Sequence, residues 1–436
     1  MMRGRRLVRG LVAALAALGL GLAMFSVSGL VAGPQVTVAP SPTPGVSGPA
    51  PSSIEVLQER LRRLPNDWTA WSALGSAYLD EAVATADPAY YNKAEGALQR
   101  SLTIQPQGNA AALSGQAALA ASRHDFRAAL RLARASQHLN PYSSPNQGVL
   151  VDALVELGRY HQAEIELQQM VDRKPSVPAF TRVSYYRELN GDIAGAREAL
   201  EQADALAFRP ADQAFIARYL GELAFSTGDL AAARKHADRG LKAAPHNASL
   251  LATRAKARVA AGDLEGGLQD YAASTALVPL STTIAEYAAT LRAAGRIVEA
   301  DRQDALARTT YQLLGNNGAN VDLELSLYEA DRGNGTLALA AARREYRRRV
   351  SVHTEDALGW ALHAAGDDKA ALQHARAAER LSTTNAGFAY HRGMIERSLG
   401  QKSAARSSLQ RALRINPYFS PTGPAVARRT LQGLTG

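Results

Sequence analysis

The stretch "ELNGDIAGAREALEQADAL", residues 188–206, decides the fold of this chain. On either side of Gly191, apolar residues recur at the three- and four-residue spacing of an α-helix. A glycine suits the position just after a helix end, because the backbone there adopts a left-handed conformation that costs glycine little. Ala196 lies five residues further on, where a small side chain lets a second helix cross the first closely. The stretch therefore predicts two helices joined by a tight turn.

The same pair of a glycine and a small residue recurs along the chain. Successive glycines lie 33 to 38 residues apart, and in six places a proline that would stop the second helix follows twelve residues after the small position. The glycines are Gly158, Gly191, Gly228, Gly262, Gly295, Gly333, Gly366 and Gly400. The prolines are Pro106, Pro141, Pro175, Pro245, Pro279 and Pro417. Markers that stay in register over so many copies indicate a repeat architecture.

The best-preserved copy of the pattern is "WSALGSAY", residues 71–78, together with the helix that follows it. Its large, small, aromatic, alanine and proline positions are Trp71, Leu74, Gly75, Tyr78, Ala94 and Pro106. In these residues the chain resembles the tetratricopeptide repeat family. The resemblance implies an all-α fold, a right-handed α-solenoid of about ten helix–turn–helix units. The expected units start near Asp67, Gly108, Tyr142, Ser176, Pro210, His246, Leu280, Gly318, Val350 and Thr384.

The chain begins with a segment typical of export or membrane anchoring. Arginines at positions 3, 5, 6 and 9 precede 23 almost wholly apolar residues, 10–32. This run is long enough for a spanning helix of ~20 residues, while Ser26 and Ser28 offer a small-residue cleavage site after Ser28. An uncleaved anchor and a removed signal peptide both remain open. In either case we expect the repeats to lie outside the cytoplasm, in the cell envelope or secreted.

Residues 34–53 form a second distinct segment. They contain six prolines and no charged residue, a composition that extends as a semi-rigid spacer and cannot bury a core. The expected domains are therefore a signal peptide or membrane anchor at 1–33, a Pro-rich linker at 34–53 and the solenoid at 54–436. Flanking helices are predicted at 52–63, with Ser52 or Ser53 as N-cap, and at 422–434.

Composition excludes several classes of site. The chain has 436 residues and no cysteine, so no disulfide and no cysteine-ligated metal is possible. Its formal charge is +9, and the four N-terminal arginines leave 9 − 4 = +5 for the remainder. That mild bias does not indicate a nucleic-acid partner. No cofactor, metal or small-molecule substrate is indicated by any motif.

Catalytic motifs are likewise not found in the sequence. Ser76 follows a glycine but does not lie in G-x-S-x-G, and no predicted strand precedes it. The nine histidines are scattered, without H-E-x-x-H or a tight pair with carboxylates. The strongest charge feature is "RREYRRR", residues 343–349, near the end of a second helix. It is interpreted as a solvated face, with an acidic protein or anionic lipid as the alternative partner. We therefore expect no enzymatic activity.

The family resemblance also implies where a partner would bind. The concave surface of such a solenoid is lined by the first helix of each unit. On this chain the corresponding positions include Tyr185, Arg218, Glu222, Phe225, Lys256, Arg292, Trp360, His363, Tyr390, Met394 and Arg397. Aromatic residues and arginine dominate binding energies at interfaces, so the stretch from Trp360 to Arg397 is the leading candidate for a peptide groove. A register error of one residue would instead place Trp360 or Tyr390 in the core.

Two functions agree with this interpretation. The first is a non-enzymatic scaffold that binds a protein or peptide, anchored to the bacterial cell envelope or secreted. The chain also looks like the exported tetratricopeptide proteins of bacteria. The second is an accessory or assembly subunit of an envelope enzyme or transporter.

Overall fold

A computed structural model describes residues 52–434, which contain 22 α-helices and no strand. Twenty of these helices form ten consecutive pairs, and one single helix flanks the pairs at each end. The prediction of an all-α repeat fold with about ten units is confirmed. The predicted anchor or signal at 1–33 and most of the linker at 34–53 lie outside the described residues. None of the helices in 52–434 combines the length and apolarity needed to cross a bilayer.

The helix bounds follow the predicted units closely. The flanking helices are α1 (Ser53–Arg63) and α22 (Gly423–Gly433). Units 1 to 5 are α2 (Trp68–Thr85) with α3 (Ala89–Ile104), α4 (Ala110–Ser122) with α5 (Phe126–Leu139), α6 (Ser144–Glu156) with α7 (Tyr160–Arg173), α8 (Val177–Leu189) with α9 (Ile193–Ala205), and α10 (Pro210–Ser226) with α11 (Leu230–Ala243). Units 6 to 10 are α12 (Ala248–Ala260) with α13 (Leu264–Leu277), α14 (Ser281–Ala293) with α15 (Ile297–Asn316), α16 (Asp322–Asp331) with α17 (Gly335–Arg348), α18 (Val352–Ala364) with α19 (Asp368–Ala378), and α20 (Ala386–Ser398) with α21 (Lys402–Ile415).

The turn inside each unit has the predicted construction. All eight glycines of the register have a positive φ, which is 77° at Gly191. The next residue, Asp192, caps the second helix by accepting a hydrogen bond from the backbone N–H of Gly195 at 2.9 Å. Pro175 lies two residues beyond the end of α7, and the other five prolines of the register lie at the same distance from their helices. Ser52 caps α1 as predicted and forms a capping box with Glu55.

Within a unit, the two helices touch at the predicted small residues. A Cβ atom added to Gly75 would lie 2.6 Å from Cγ of Leu98, so no larger residue fits there without a shift of the second helix. Ala94 on that helix is fully buried. Ser76, the next residue, is half-buried and donates a hydrogen bond to the carbonyl of Ser72 at 3.3 Å. The stretch "WSALGSAY" is therefore a packing site between two helices.

First helices of neighbouring units also contact one another directly, as α6 does with α8 and α10 with α12. Close contact between first helices puts them on the inner side of the curved coil of units. The second helices lie on the outer side. Each packs against the first helix of its own unit, and most also pack against the first helix of the next unit. The core lies between the inner and outer helices as a series of clusters of buried apolar residues.

The coil of units closes on itself after six units. The turn of unit 2 contacts the loop that precedes unit 8, where Nδ1 of His124 lies 2.7 Å from the carbonyl oxygen of Asn320. The turns of units 3, 4 and 5 contact the loops that precede unit 9, unit 10 and α22. The residue pairs are Gly158 with Val350, Gly191 with Ser382, and Gly228 with Pro417. We call this line of contacts the seam. Units 1–6 make the first turn of the coil, and units 7–10 belong to the second.

Buried hydrogen bonds hold the seam together. They join residues 191 to 194 positions apart. The hydroxyl of Tyr160 accepts from the backbone N–H of Val352 at 2.9 Å, Thr383 Oγ1 donates to the carbonyl of Leu189 at 2.6 Å, and Asn416 Nδ2 donates to the carbonyl of Phe225 at 2.8 Å. Because buried polar groups that lose a partner are costly, these bonds make the register of the seam specific.

The basic run at 343–349 is largely the predicted solvated face, with Arg349 as the exception. Arg349 is buried, and its guanidinium donates to the carboxylates of Glu156 across the seam and of Glu345 on its own helix. Burial works against the charge of Arg349, but these two carboxylates outweigh it and raise the pKa of the guanidinium. Arg348 pairs with Asp322 at 2.6 Å. The side chains of Arg343, Arg344, Arg347 and Arg348 are exposed, so Arg349 is the arginine of the run whose side chain joins the two turns of the coil.

Candidate functional site

The polar part of the inner face lies on the first helices α6 to α14, in units 3 to 7. Its first ion pair joins α6 to α8, where Nε and Nη2 of Arg182 each lie 2.8 Å from a carboxylate oxygen of Asp152. The second joins α10 to α12, where Lys256 Nζ lies 2.5 Å from Glu222. Thr253 Oγ1 donates to the same carboxylate at 2.5 Å. We call the residues Tyr185, Glu188, Arg218, Glu222, Phe225, Lys256 and Glu286 the inner strip.

Charges in the inner strip are strongly coupled. Burial raises the pKa of Glu222, but Lys256 and Thr253 more than offset this, and its pKa is lowered. Burial likewise opposes the charge of Lys256, and Glu222 and Glu286 outweigh it to raise the lysine pKa. Glu222 and Lys256 therefore form a charged pair at neutral pH.

Glu188 is the exception in this strip. No donor among residues 52–434 forms a hydrogen bond with its carboxylate, although the side chain is half-buried. Burial, and then repulsion from Glu222, raise the pKa of Glu188 to about 7. Burial also raises the pKa of Glu286, with repulsion from Glu222 adding to the shift and attraction to Lys256 opposing it. The inner strip therefore contains one acid that is poised to accept a positive charge.

Five of the eleven predicted contact residues meet in the inner strip, and all five come from the first turn. They are Tyr185, Arg218, Glu222, Phe225 and Lys256. Phe225 is buried, and Lys256 Nζ lies 5.2 Å from the centre of its ring. The others are partly accessible on the inner face. Their role as contacts for a partner stays a prediction.

Trp360, Tyr390 and Met394 do not lie on an open face. The structure buries all three between the first helices α16, α18, α20 and helix α22, with exposed fractions of 4%, 0% and 7%. The indole N–H of Trp360 donates to Asp331 at 2.8 Å, and its ring stacks on His391 at 4.1 Å. The expected groove from Trp360 to Arg397 is thus filled by its own aromatic side chains. These rings pack against one another and against neighbouring rings, Trp360 on His391 and Tyr390 on Phe419.

The remaining three predicted residues lie near the turns of their units. Arg292 pairs with Asp301 and Asp304 on its own second helix, both at 2.7 Å. His363 stacks on Trp360 at 5.0 Å and pairs with Asp368. Arg397 is exposed at the end of α20. The structure does not bring these three side chains together with the inner strip.

Two features of the inner face were not in the predicted set of contacts, namely the acid at Glu286 and the seam. Extending the 34-residue spacing of Glu222 and Lys256 to α14 gives Thr290, so the register does not indicate Glu286. The seam has a weak signal. The first residue of the second helix is apolar or aromatic in units 2–5, where the seam covers it, and polar or glycine in units 8–10. These residues are Phe126, Tyr160, Ile193 and Leu230 against Gly335, Asp368 and Lys402.

Arrangements for metal or acid–base chemistry are not found in the described part of the chain. No group of three or more histidine and carboxylate side chains in 52–434 could hold a metal ion. A shallow cleft on the outer side is lined by residues of α9, α10 and α11. Its guanidinium at Arg239 is paired with Asp204 at 2.6 Å.

Comparison with known proteins agrees with the repeat pattern. Residues 386–419 match the model of a tetratricopeptide repeat, which spans α20, α21 and the loop to α22. No curated protein matches the chain.

Similar solved structures include a thermophilic tetratricopeptide protein of Thermus thermophilus, at 24% identity over 39% of this chain and 92% of that one, with a TM-score of 0.36. A tetratricopeptide repeat protein of Parabacteroides merdae has 18% identity over 60% and 99%, with a TM-score of 0.37. The Cut9-Hcn1 hetero-tetramer of the APC/C has 15% identity over 88% and 68%, with a TM-score of 0.39. At these scores the structures do not inform the function. The family match identifies residues 386–419 as a tetratricopeptide repeat, and the ten helix pairs of residues 52–434 follow the same register.

Proposed function

We propose that this protein is a non-enzymatic scaffold that binds an extended segment of a partner protein along the inner strip. Tetratricopeptide repeats generally act as protein-binding units, and the inner strip is the accessible polar part of the concave face. It offers hydrogen-bonding groups on four successive first helices, from α8 to α14. A segment that runs along the strip would contact several units at once, which is how a repeat array gains affinity from a shallow surface.

The observation that carries this proposal is the carboxylate of Glu188. Holding an acid half-buried, without a donor and near Glu222, costs the fold stability. Residues kept in such a state are characteristic of functional sites, because a ligand supplies what the fold lacks. A lysine or arginine of the partner would lie between Glu188 and Glu222 and remove the repulsion. The proposed partner segment is therefore extended and carries at least one basic side chain.

Peptide binding tests this proposal directly. An array of extended peptides with and without a central lysine would be screened by fluorescence anisotropy. We expect lysine peptides to bind at pH 8, and Glu188→Gln to weaken binding about tenfold, equivalent to about 1.4 kcal/mol. Glu201→Gln is the matched control, because Glu201 is exposed on the outer helix α9. Lysine-dependent binding that both variants leave unchanged would contradict the proposal.

We also propose that the solenoid works outside the cytoplasm, in the bacterial envelope or after secretion. The support is the sequence of residues 1–33, with its arginines and apolar run, followed by the Pro-rich linker. Fractionation of the full chain and of a variant without residues 1–33 would test the location. We expect the deletion to retain the solenoid in the cytoplasm. An unchanged distribution would contradict export. An enzyme or transporter captured by cross-linking in the membrane fraction would instead favour the accessory-subunit function.

A further inference from the structure

The seam follows a simple rule that the chain satisfies four times. The turn of a unit packs on the loop that precedes the sixth unit after it, from unit 2 with unit 8 to unit 5 with α22. The rule requires a loop above the turns of units 6 to 10, and residues 52–434 place none above the turns of units 6, 7, 9 and 10. A Cβ atom added to Gly262, Gly295, Gly366 or Gly400 would meet no atom of residues 52–434 within 4 Å.

The uncovered turns of units 6 and 7 keep the apolar character of covered turns. Ile297 in unit 7 occupies the position that Tyr160 occupies in unit 3, where the seam buries it. Ile297 is 46% exposed and its neighbour Val298 is 67% exposed. Ile297 and Val298 are thus exposed at a position that is buried elsewhere in the same molecule. This indicates that a surface similar in shape to the loops of the seam covers them.

The opposite edge of the coil offers that shape. In the second turn, the loops between units are the parts that pack into the seam. In the first turn, the corresponding loops are free, and they present large apolar side chains to solvent. Leu64, before unit 1, is 55% exposed, Tyr142, before unit 3, is 82% exposed, and Phe208, before unit 5, is 81% exposed.

The two ends of the solenoid are complementary halves of one unit. Helix α1 packs on α2 in the way that a second helix packs on the next first helix, and no first helix pairs with it among residues 52–434. Helix α22 packs on α21 as a first helix does, and no second helix in the same range pairs with it. Placed end to end, α22 of one copy and α1 of another would complete an eleventh helix pair.

We propose that a second copy of this chain continues the coil in this way, head to tail. The six-unit spacing of the seam is kept across the junction between the two copies. If α22 and α1 form unit 11, unit 1 of the second copy becomes unit 12, and its preceding loop with Leu64 lies over the turn of unit 6. Ile297 in unit 7 is covered by the loop at 105–109, and the turn of unit 8 by the loop with Tyr142. Continuity with the seam carries this proposal, which does not depend on the function proposed above. Such a heterologous contact extends without a fixed end.

The charges of the two ends predict the salt dependence. Helix α22 carries Arg428 and Arg429, and α1 carries three arginines against two glutamates. Both ends are positive, so association strengthens as salt screens their repulsion. An interface built on ion pairs would weaken instead.

Sedimentation of the full chain in detergent micelles at several concentrations tests the proposal. We expect wild type to form a series of species beyond the dimer. Tyr142→Glu places a charge on the edge formed by the loops of the first turn, which we call the loop edge. Ile297→Glu places a charge on the edge formed by the uncovered turns, the turn edge. We expect each variant alone to stay monomeric. Each variant keeps intact the edge that is damaged in the other. An equimolar mixture should therefore form a dimer and no larger species. Ile165→Glu is the control, since Ile165 is 47% exposed in the middle of α7, away from both edges, and it associates like wild type.

Three results would overturn the proposal. A wild type that stays monomeric throughout shows that the edges do not meet. Association that neither variant reduces belongs to another surface, such as residues 1–51. A mixture that stays monomeric, when both variants are monomeric alone, shows a symmetric contact rather than a head-to-tail one.

Discussion

Equivalent positions on the first helices have opposite environments in the two turns of the coil. In the first turn, Tyr185, Glu222 and Lys256 form a polar strip on the inner face. In the second turn, Trp360 and Tyr390 lie in a closed aromatic cluster. Both sets follow the same repeat register. The difference shows that the register gives the direction of a side chain, while the packing of its neighbours decides whether the inner face is open.

The largest effect is expected at the residue that joins the two turns. Arg349→Ala leaves the carboxylates of Glu156 and Glu345 buried without their cation, and we expect a loss of about 3 to 5 kcal/mol in the free energy of unfolding. Arg347→Ala is the matched control from the same basic run. Its side chain is exposed, and we expect a change below about 0.5 kcal/mol. Urea denaturation of both variants measures the difference, and equal losses would break the distinction between seam and surface.

The aromatic cluster should respond as a core and the inner strip as a surface. Trp360→Ala removes a buried indole and its hydrogen bond to Asp331, at an expected cost of about 3 to 5 kcal/mol. Tyr185→Phe removes only the hydroxyl, which lies 3.2 Å from His353, and should cost about 1 kcal/mol. Thermal and urea unfolding would show this ratio. A small loss of stability for Trp360→Ala would indicate that Trp360 lies on an open face.

Acid should weaken the seam through His353. Burial, with Arg349 adding to the effect, lowers the pKa of His353 to about 4, against about 6.5 for an unfolded chain. Between these values the unfolded chain binds the proton and the folded chain does not, so this contribution falls as the pH falls. The expected loss between pH 8 and pH 5 is about 2 kcal/mol.

Comparison with His353→Gln isolates this effect, because other groups titrate in the same range and Glu188 acts in the opposite direction. The glutamine is neutral throughout and can still bond to Tyr185. The stability difference between wild type and variant should change by the same ~2 kcal/mol from pH 8 to pH 5. A difference that is constant over this range would show that His353 is not buried as a neutral ring.

The smallest effect separates stability from function within the inner strip. The pKa of Glu188 is about 7 in the folded protein, above its unfolded value, so its ionised form destabilises the fold increasingly as the pH rises through 7. After allowance for its partial exposure, Glu188→Gln should stabilise the protein by about 1 to 2 kcal/mol at pH 8, with most of the gain gone at pH 5. Unfolding curves at both pH values test this. A destabilised variant at pH 8 would mean that Glu188 has a partner.

The repeat part of the fold was predictable because it depends on local chemistry. Three markers each act within one unit, namely glycine at a left-handed turn, a small residue at the helix crossing and a proline after the second helix. Their recurrence was enough to predict ten units. The seam was not predictable in the same way, since it depends on how small angles between units add up over six of them. The prediction of an open face failed at Trp360 and Tyr390 because neighbouring rings close the space around them, while Tyr185, Glu222 and Lys256 could be placed from the register alone.

The central claim is that the coil of units closes on itself along the seam, with the inner strip on its inner face. The chain has no cysteine, so cysteines at positions 92 and 317 can be spin-labelled without background. In the structure, Nδ2 of Asn92 lies 3.0 Å from Oδ1 of Asn317, although the residues are 225 positions apart. A double electron–electron resonance measurement in dilute solution should give one narrow distance at the short limit of the method. A broad distribution of long distances would show an open solenoid and contradict the account.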